Sequence, residues 1–343
     1  MLTKEQIEQI VAMTVAQMNG QPKAPAGNAP AAGNGWMFDR AEDCIKAAAA
    51  AQKQLVSMTM EARESFIRAM RKAAVDNAEY LAQLAHDETG YGRVPDKIQK
   101  ILLVANKTPG TEDIQPRVFT GDKGLTLVEQ APFGVIGSIT PSTNPPGTVI
   151  NNSISMIAGG NAVVFNPHPA AKKCCQETMR ILNEAIVAAG GPVGLICCPT
   201  DPTVETSNVI MNHPDIKLLS VTGGEAVVGI AMKTGKKCIS AGPGNPPVIV
   251  DETADIPKAG KEIVDGASFD NNVLCVAEKE CFAVNTVFDQ LMTEMQKNGA
   301  WMVRGEDIDR IVRTVLIQKD GKYVINRKFV GRDATYIMEQ SGV

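Results

Sequence analysis

The segment GASFDNNVLCVAEKE carries Cys275 after two asparagines and among small residues. A thiolate is a strong nucleophile toward a carbonyl carbon, and neighbouring positive potential depresses the pKa of such a thiol. A lone cysteine is more often a small buried apolar side chain, so the assignment needs support from other segments. LLSVTGGEAVVGIA reads as a strand, a Thr222-Gly223-Gly224 turn and a helix. Glycines at such a turn let backbone approach a phosphate, and the helix start supplies N–H donors and positive potential. Many strand-to-helix turns use glycine for geometry alone, and for this turn in isolation that reading is at least as strong. ITPSTNPPGT sets Ser142, Thr143 and Asn144 directly after an apolar run. A side-chain donor there is placed to face an oxyanion; the plain alternative is a proline-bounded loop whose polar groups satisfy its own backbone. The chain holds no Gly-x-Gly-x-x-Gly of the dinucleotide type, no Walker loop and no His-Glu-x-x-His.

The elements that must position these residues alternate. GVIGSIT (134–140) reads as a buried strand, residues 141–147 as a loop and TVINNSISMIA as a helix. AVVFNP, GLICCP and IKLLSVTG follow as strands, separated by helices over AAKKCCQETMRILNEAIVAAG, around Val204 to Met211, and from Glu225. Repeated β-α-β order implies a mainly parallel sheet with helices on both faces, and such sheets bind ligands beyond the carboxyl ends of their strands. Before this core, the stretch from Trp36 to about Thr108 is rich in strong helix formers. A hairpin is expected next in VFTG-DKG-LTLVEQ, two short strands around an Asp-Lys-Gly turn.

The first 20 residues form a separate unit. Thr3-Lys4-Glu5-Gln6 fits a capping box, and Ile7, Ile10, Val11, Val15 and Met18 make one apolar stripe. A stretch rich in Ala, Gly, Pro and Asn follows to residue 35 and reads as a flexible linker. A short amphipathic helix on such a tether suits docking onto another protein better than packing on its own domain.

At 343 residues the chain has room for two domains. Its net charge of −4 and 4% aromatic content give no case for nucleic acid. No apolar run is long enough to span a bilayer, and Lys4, Glu5 and Glu8 interrupt any signal peptide. Eight cysteines include no Cys-x-x-Cys pair, so no metal site is expected, and they read as reduced thiols of a cytoplasmic protein.

Taken together and in order, PFGVIGSITPSTNPPGTVINN, VTGGEAVV, SAGPGNPPVIVD and FDNNVLC resemble the aldehyde dehydrogenase superfamily. GASFDNNVLCVAEKE with FNPHPAAKK and TPSTNP resembles its coenzyme A-acylating branch, the acetaldehyde and propionaldehyde dehydrogenases of ethanolamine and propanediol utilisation. The resemblance implies an α/β fold with a Rossmann-type parallel sheet and a partial α/β catalytic domain. The implied domains are an encapsulation-type helix (1–20), a linker (21–35), a cofactor domain (36–240) with an oligomerisation hairpin near 113–131, and a partial catalytic domain (241–343). Cys275 is then the nucleophile. The oxyanion donor is Asn144 by chemistry but Thr143 by a gapless match to relatives with Pro-x-Asn. Thr140, Pro141, Asn166 and His168 are implied at the cofactor site, as are Thr222, Gly223, Gly224 and Gly242. His168 is as readily a cofactor or coenzyme A contact as a loop histidine with a structural hydrogen bond.

Two departures from the family pattern bear on chemistry. Hydrolytic members carry a water-activating Glu before an Asn-Pro pair; counting back from Asn245-Pro246 puts Ser240 there, which has no group titrating near neutrality. A thiol then becomes the natural acyl acceptor. A Lys that contacts the cofactor ribose in many relatives is replaced by Asn166, so that position leaves NAD and NADP both open. The chain stops after GRDATYIMEQSGV, short of the usual family length, which implies absence of the rest of the catalytic domain and a last oligomerisation strand. The expected reaction is a short-chain aldehyde plus coenzyme A plus NAD⁺ to acyl-coenzyme A and NADH, by a homo-oligomer housed in a bacterial microcompartment through residues 1–20. The competing reading is a catalytically dead cargo protein that keeps cofactor binding.

Overall fold

The computed structural model describes residues 35–242 and 244–343, so the expected docking helix over 1–20 and all but the last residue of the linker lie outside the described residues. The chain divides into two units. The first holds the described residues up to Leu84 together with Lys100–Gly242; the second holds Ala85–Gln99 and Pro243–Val343. The segment 85–99 belongs with the second unit although it precedes the sheet in sequence.

The chain opens on a two-residue strand, β1 (Met37–Phe38), then α1 (Ala41–Val56), α2 (Met60–Asp76), α3 (Ala78–Thr89) and α4 (Val94–Lys107). In α1, Ala41, Cys44, Ile45, Ala48, Ala51 and Leu55 are buried, the single apolar stripe of a helix packed on one side. Thr59 starts α2 by accepting a hydrogen bond from the Ala62 N–H. The hairpin β2 (Arg117–Gly121) and β3 (Gly124–Val128) pairs Arg117 with Val128 and turns through Asp122-Lys123. All ten of its residues are exposed, Val118, Phe119, Leu125 and Leu127 among them.

The remaining elements of the first unit are β4 (Val135–Thr140), α5 (Pro145–Ala158), β5 (Ala162–Pro167), α6 (Lys172–Ala188), β6 (Ile196–Pro199), α7 (Val204–Asn212), β7 (Ile216–Thr222), α8 (Glu225–Met232) and β8 (Lys237–Ala241). The sheet order is β1-β6-β5-β4-β7-β8, with every pairing parallel. Every residue of β4 and β5 is buried, as expected of central strands covered on both faces. Gly137 lies at the tightest point of β4. A Cβ there would come within 2.7 Å of Ile210 and 3.2 Å of Ile216 and Leu219.

Two details differ from the sequence reading. The helix after β4 begins at Pro145, inside the segment expected to be loop, because a proline at the first helical position forfeits no hydrogen bond and its φ already suits a helix. Strand β1 has too few residues to show any periodicity. It exists because Trp36 and Met37 are buried and the Cys198 N–H donates to the Trp36 carbonyl.

The second unit contains β9 (Pro247–Val250), α9 (Ile256–Ser268), β10 (Glu280–Ala283), α10 (Asn285–Lys297), α11 (Glu306–Val315), the antiparallel pair β11 (Leu316–Lys319) and β12 (Lys322–Ile325), and α12 (Ala334–Ser341). β9 and β10 pair in parallel. Its core packs Val250, Ile256, Ile263, Val287 and Leu291. Ile249 and Phe282 project from the strand pair and are exposed. Among the described residues no helix is long and apolar enough to cross a membrane.

Candidate active site

The strand order of the first unit reverses at β4. The chain moves from β4 through β5 to β6 on one side, then returns to place β7 and β8 on the other. Helices that leave neighbouring strands on opposite faces at such a reversal open a crevice at the carboxyl end of the sheet, where ligands bind. The segments leaving β4 and β7 there are Pro141–Asn144 and Gly223-Gly224.

At the end of β4, Thr140 is 2% exposed, and no hydrogen-bond partner reaches its buried hydroxyl among the described residues. Pro141 is half-buried and Thr143 is exposed. Asn144 is half-buried and stands at the start of α5 without capping it through its side chain. Its main-chain carbonyl accepts from the Thr148 N–H (3.0 Å) and hydroxyl (2.7 Å). Its amide lies over Gly147, where a Cβ would come within 2.7–3.0 Å of it. An asparagine in this position ordinarily satisfies the first helical N–H groups. Here the amide makes no such bond.

At the end of β5, the amide of Asn166 is held by the start of the next helix. The residue is 4% exposed and both ends of its amide are engaged. Its Nδ2 donates to the Thr203 carbonyl at 3.1 Å, and Thr206 Oγ1 donates to its Oδ1 at 2.6 Å. Thr203 and Thr206 form the capping box of α7, so Asn166 ties β5 to the start of that helix. His168 makes the structural hydrogen bond that was one of its open roles. Its Nδ1 accepts from the Ala170 N–H at 3.1 Å, which places the proton of the neutral ring on Nε2. The His168 N–H also donates to the Thr140 carbonyl at 3.1 Å, joining the ends of β4 and β5.

At the end of β7, Thr222 and Gly223 are half-buried and the Gly223 N–H donates to the Ala241 carbonyl at 3.1 Å. Gly224 starts α8 with no side-chain cap, and a Cβ on it would meet nothing within 4 Å. Packing therefore does not require glycine at 224, and the backbone there is open to the close approach of a group such as a phosphate. Gly242 follows β8, equally open around its Cα. Ser240 lies within β8, is exposed, and contacts the Met232 sulfur at 3.8 Å. With the orphaned Thr140 hydroxyl, the open glycines suit a bound dinucleotide. Among the described residues no cluster of His, Cys, Asp or Glu is arranged to hold a metal.

Cys275 belongs to the second unit and is exposed. It sits on a turn between α9 and β10 whose conformation is unusual. Asp270, Asn271 and Asn272 all have positive φ, at 48°, 53° and 60°. A left-handed backbone costs roughly 1–2 kcal/mol per residue for L-amino acids, and Asn and Asp are the types that tolerate it best. The turn is held by several side chains. Asn272 Nδ2 bridges the carbonyls of Ala267 (2.7 Å) and Glu278 (3.1 Å), closing the loop across its base. Lys279 Nζ donates to the carbonyls of Leu274 (2.8 Å) and Ala277 (3.0 Å), which flank Cys275. Gly244 lies beneath, where a Cβ would stand 2.7 Å from the Cys275 carbonyl oxygen. Sequence reasoning missed Asn272, Lys279 and Gly244. The adjacent Asp-Asn-Asn was the available signal, since it gathers the residue types that accept positive φ.

The other thiols are different. Cys44, Cys174, Cys175, Cys197 and Cys198 are buried. Burial pushes the Cys44 thiol up to about 12 and raises Cys197 and Cys198 well above the usual range. Burial also raises Cys281, though that residue is exposed overall.

A model of the aldehyde dehydrogenase family matches residues 26–319. An acetaldehyde dehydrogenase (acetylating) of Bilophila wadsworthia is 49% identical over 99% of this chain and 72% of its own length. A propionaldehyde dehydrogenase from the fucose-utilisation microcompartment of Clostridium phytofermentans superposes with a TM-score of 0.86 at 47% identity, over 90% of this chain and 70% of that one. A propionaldehyde dehydrogenase of Rhodopseudomonas palustris, solved with bound CoA and an acylated cysteine, also reaches 0.86, at 41% identity over 91% and 71%. The chain belongs to the aldehyde dehydrogenase family. The relatives just described are aldehyde dehydrogenases of the acetylating and propionaldehyde-oxidising kind.

Because the thiolate is the reacting species, thiol labelling separates the cysteines. Iodoacetamide at pH 8 is expected to label Cys275 while Cys44, Cys197 and Cys198, held protonated by burial, stay unlabelled until the chain unfolds. Peptide mass spectrometry checks this; labelling of Cys197 ahead of Cys275 would contradict it.

Proposed function

We propose that this chain oxidises a short-chain aldehyde, acetaldehyde or propionaldehyde, to its coenzyme A thioester with reduction of NAD or NADP, through a covalent intermediate on Cys275. The observation that carries the proposal is an exposed thiol on a turn fixed by Asn272, Lys279 and Gly244, in a chain similar to solved relatives of which one holds an acylated cysteine.

The Cys275 thiolate adds to the aldehyde carbon, and the carbonyl oxygen becomes an oxyanion. The Cys275 N–H is one donor to it. We assign the second donor to Asn144 rather than Thr143, because the Asn144 amide is not engaged in capping α5. A nicotinamide cofactor, when bound, accepts the hydride that leaves the former aldehyde carbon. Gly224 and the N–H groups opening α8 are suited to its diphosphate, with Thr140, Pro141, Thr222, Gly223, His168 and Gly242 at the same strand ends. Loss of hydride leaves a thioester on Cys275. Ser240 gives the site no carboxylate where hydrolytic relatives keep their base, so the thioester persists until the thiolate of coenzyme A attacks its carbonyl and the Cys275 sulfur departs. The domain assignment follows: a cofactor-binding first unit and a second unit that carries the nucleophile. Residues 1–20 are proposed to dock the protein on a microcompartment shell, and the exposed apolar hairpin β2–β3 is proposed to pair copies of the chain.

Cys275→Ala is expected to abolish aldehyde-dependent NADH formation, by at least a thousandfold in a spectrophotometric assay. With the wild-type chain, omitting coenzyme A should suppress turnover; undiminished NADH with accumulating free acid would identify water as the acceptor and overturn the role given to Ser240. A fluorescent protein fused to residues 1–20 should collect at microcompartment shells; a diffuse signal in cells that contain shells would contradict docking.

A further inference from the structure

The left-handed turn before Cys275 is gripped from a distant stretch of sequence. Asp270 is fully buried, with 0% of its side chain exposed, and Lys97, at 5%, reaches it with Nζ 3.1 Å from Oδ2. The other carboxylate oxygen accepts the Arg93 N–H at 2.7 Å. The Asp270 N–H donates in turn to Asp96 Oδ2 at 2.9 Å. Arg93 completes the grip: its Nε holds Asp96 at 2.8 Å, and its Nη2 donates to the Ser268 carbonyl at 2.9 Å. Gly92, at φ +66°, makes the space, since a Cβ on it would coincide with the Asp270 carboxylate.

These contacts run from residues 92–97, the start of α4, to residues 268–270, all within the second unit. They explain the segment's place in that unit. They also answer what keeps three consecutive non-glycine residues at positive φ. A carboxylate buried without a partner is strongly disfavoured, so the chain holds Asp270 where Lys97 and the Arg93 N–H both reach it. With Asp270 fixed in the left-handed region, Asn271 and Asn272 follow. The Asn271 Nδ2 donates to the Gly331 carbonyl at 3.0 Å, and the Gly92 N–H donates to that same carbonyl at 2.8 Å. The grip and the turn thus share an anchor. Three residues after Asn272 comes Cys275, with its carbonyl against Gly244.

We propose that the buried Lys97–Asp270 pair, seated on Gly92, is a positioning lock that sets the backbone conformation in which Cys275 presents its thiol and N–H to substrate. Lys97 and Asp270 are positioning residues: they act through the turn and do not touch the reacting atoms. The inference rests on the proposed role of Cys275 for its catalytic consequence, but the lock itself is a statement about residues 92–97 and 268–277.

Hydrogen–deuterium exchange on the full chain tests it, paired with steady-state NADH formation. In Lys97→Met, amides 271–277 are expected to exchange at least tenfold faster, while those of α9, α10 and the β9–β10 pair keep wild-type protection. Lys97→Arg should restore protection. Gly92→Ala, which displaces the carboxylate without removing a charge, should reproduce the Lys97→Met pattern if the latter fails to fold. kcat should fall at least tenfold with KM for aldehyde and cofactor within about twofold. Unchanged exchange at 271–277 overturns the lock, as does loss of protection spread evenly over the second unit, which marks a general stabilising pair. Local loosening with wild-type kcat overturns its positioning role. Cys275→Ala separates the two readings: turnover in that variant, or none in the wild-type chain, sinks the assigned chemistry and leaves the exchange comparison to decide the lock.

Discussion

Asp270, Asn271 and Asn272 keep a left-handed backbone that an isolated peptide of this sequence would leave at once. Such a conformation persists only where surrounding structure over-determines it. The buried Asp270 carboxylate meets two donors, Asn272 bridges the base of the loop, and Asn271 binds the Gly331 carbonyl. Each contact is ordinary in strength, and together they leave the segment one conformation. The consequence is an exposed thiol, the proposed nucleophile, on a turn held by many contacts. That suits chemistry in which the same backbone N–H must meet the oxyanion twice, once as the thiolate adds to the aldehyde and once as coenzyme A adds to the thioester.

The first unit reaches a ligand site by a different constraint. Its sheet reverses order at β4, and the two chain segments that leave the reversal carry the polar and glycine residues. Among the described residues no partner reaches the buried Thr140 hydroxyl and nothing packs on Gly224, which suits the ligand site proposed there. Asn166 and His168, at the neighbouring strand end, also tie elements together. Asn166 fastens β5 to α7, and His168 links the ends of β5 and β4.

The sequence made the sheet legible because β4 and β5 are continuous apolar runs bounded by turn residues, which is the pattern of central parallel strands. It made the family legible through motifs, with FDNNVLC in the right order after the Thr222-Gly223-Gly224 turn. What it hid depended on contacts distant along the chain. Nothing in the helical stretch around Lys97 distinguishes that lysine from its neighbours, because its partner lies 173 residues further on. Strand β1 is too short to carry a period, and it is specified by burial of Trp36 and Met37. The start of α5 was masked by Pro145-Pro146, a pair as compatible with a loop as with the first turn of a helix. The bonds that Asn166 makes to the threonines opening α7 were hidden for the same reason as that of Lys97, since those partners lie about 40 residues further on.

The central claim is that Cys275 exchanges an acyl group with coenzyme A, and the reverse half-reaction tests it without any need for hydride transfer. Incubating the chain with acetyl- or propionyl-coenzyme A and mapping the products by peptide mass spectrometry should place one acyl group on the Cys275 peptide, removable by added free coenzyme A. An acyl group on another cysteine, or none on Cys275 while the thioester stays intact in solution, would contradict the account.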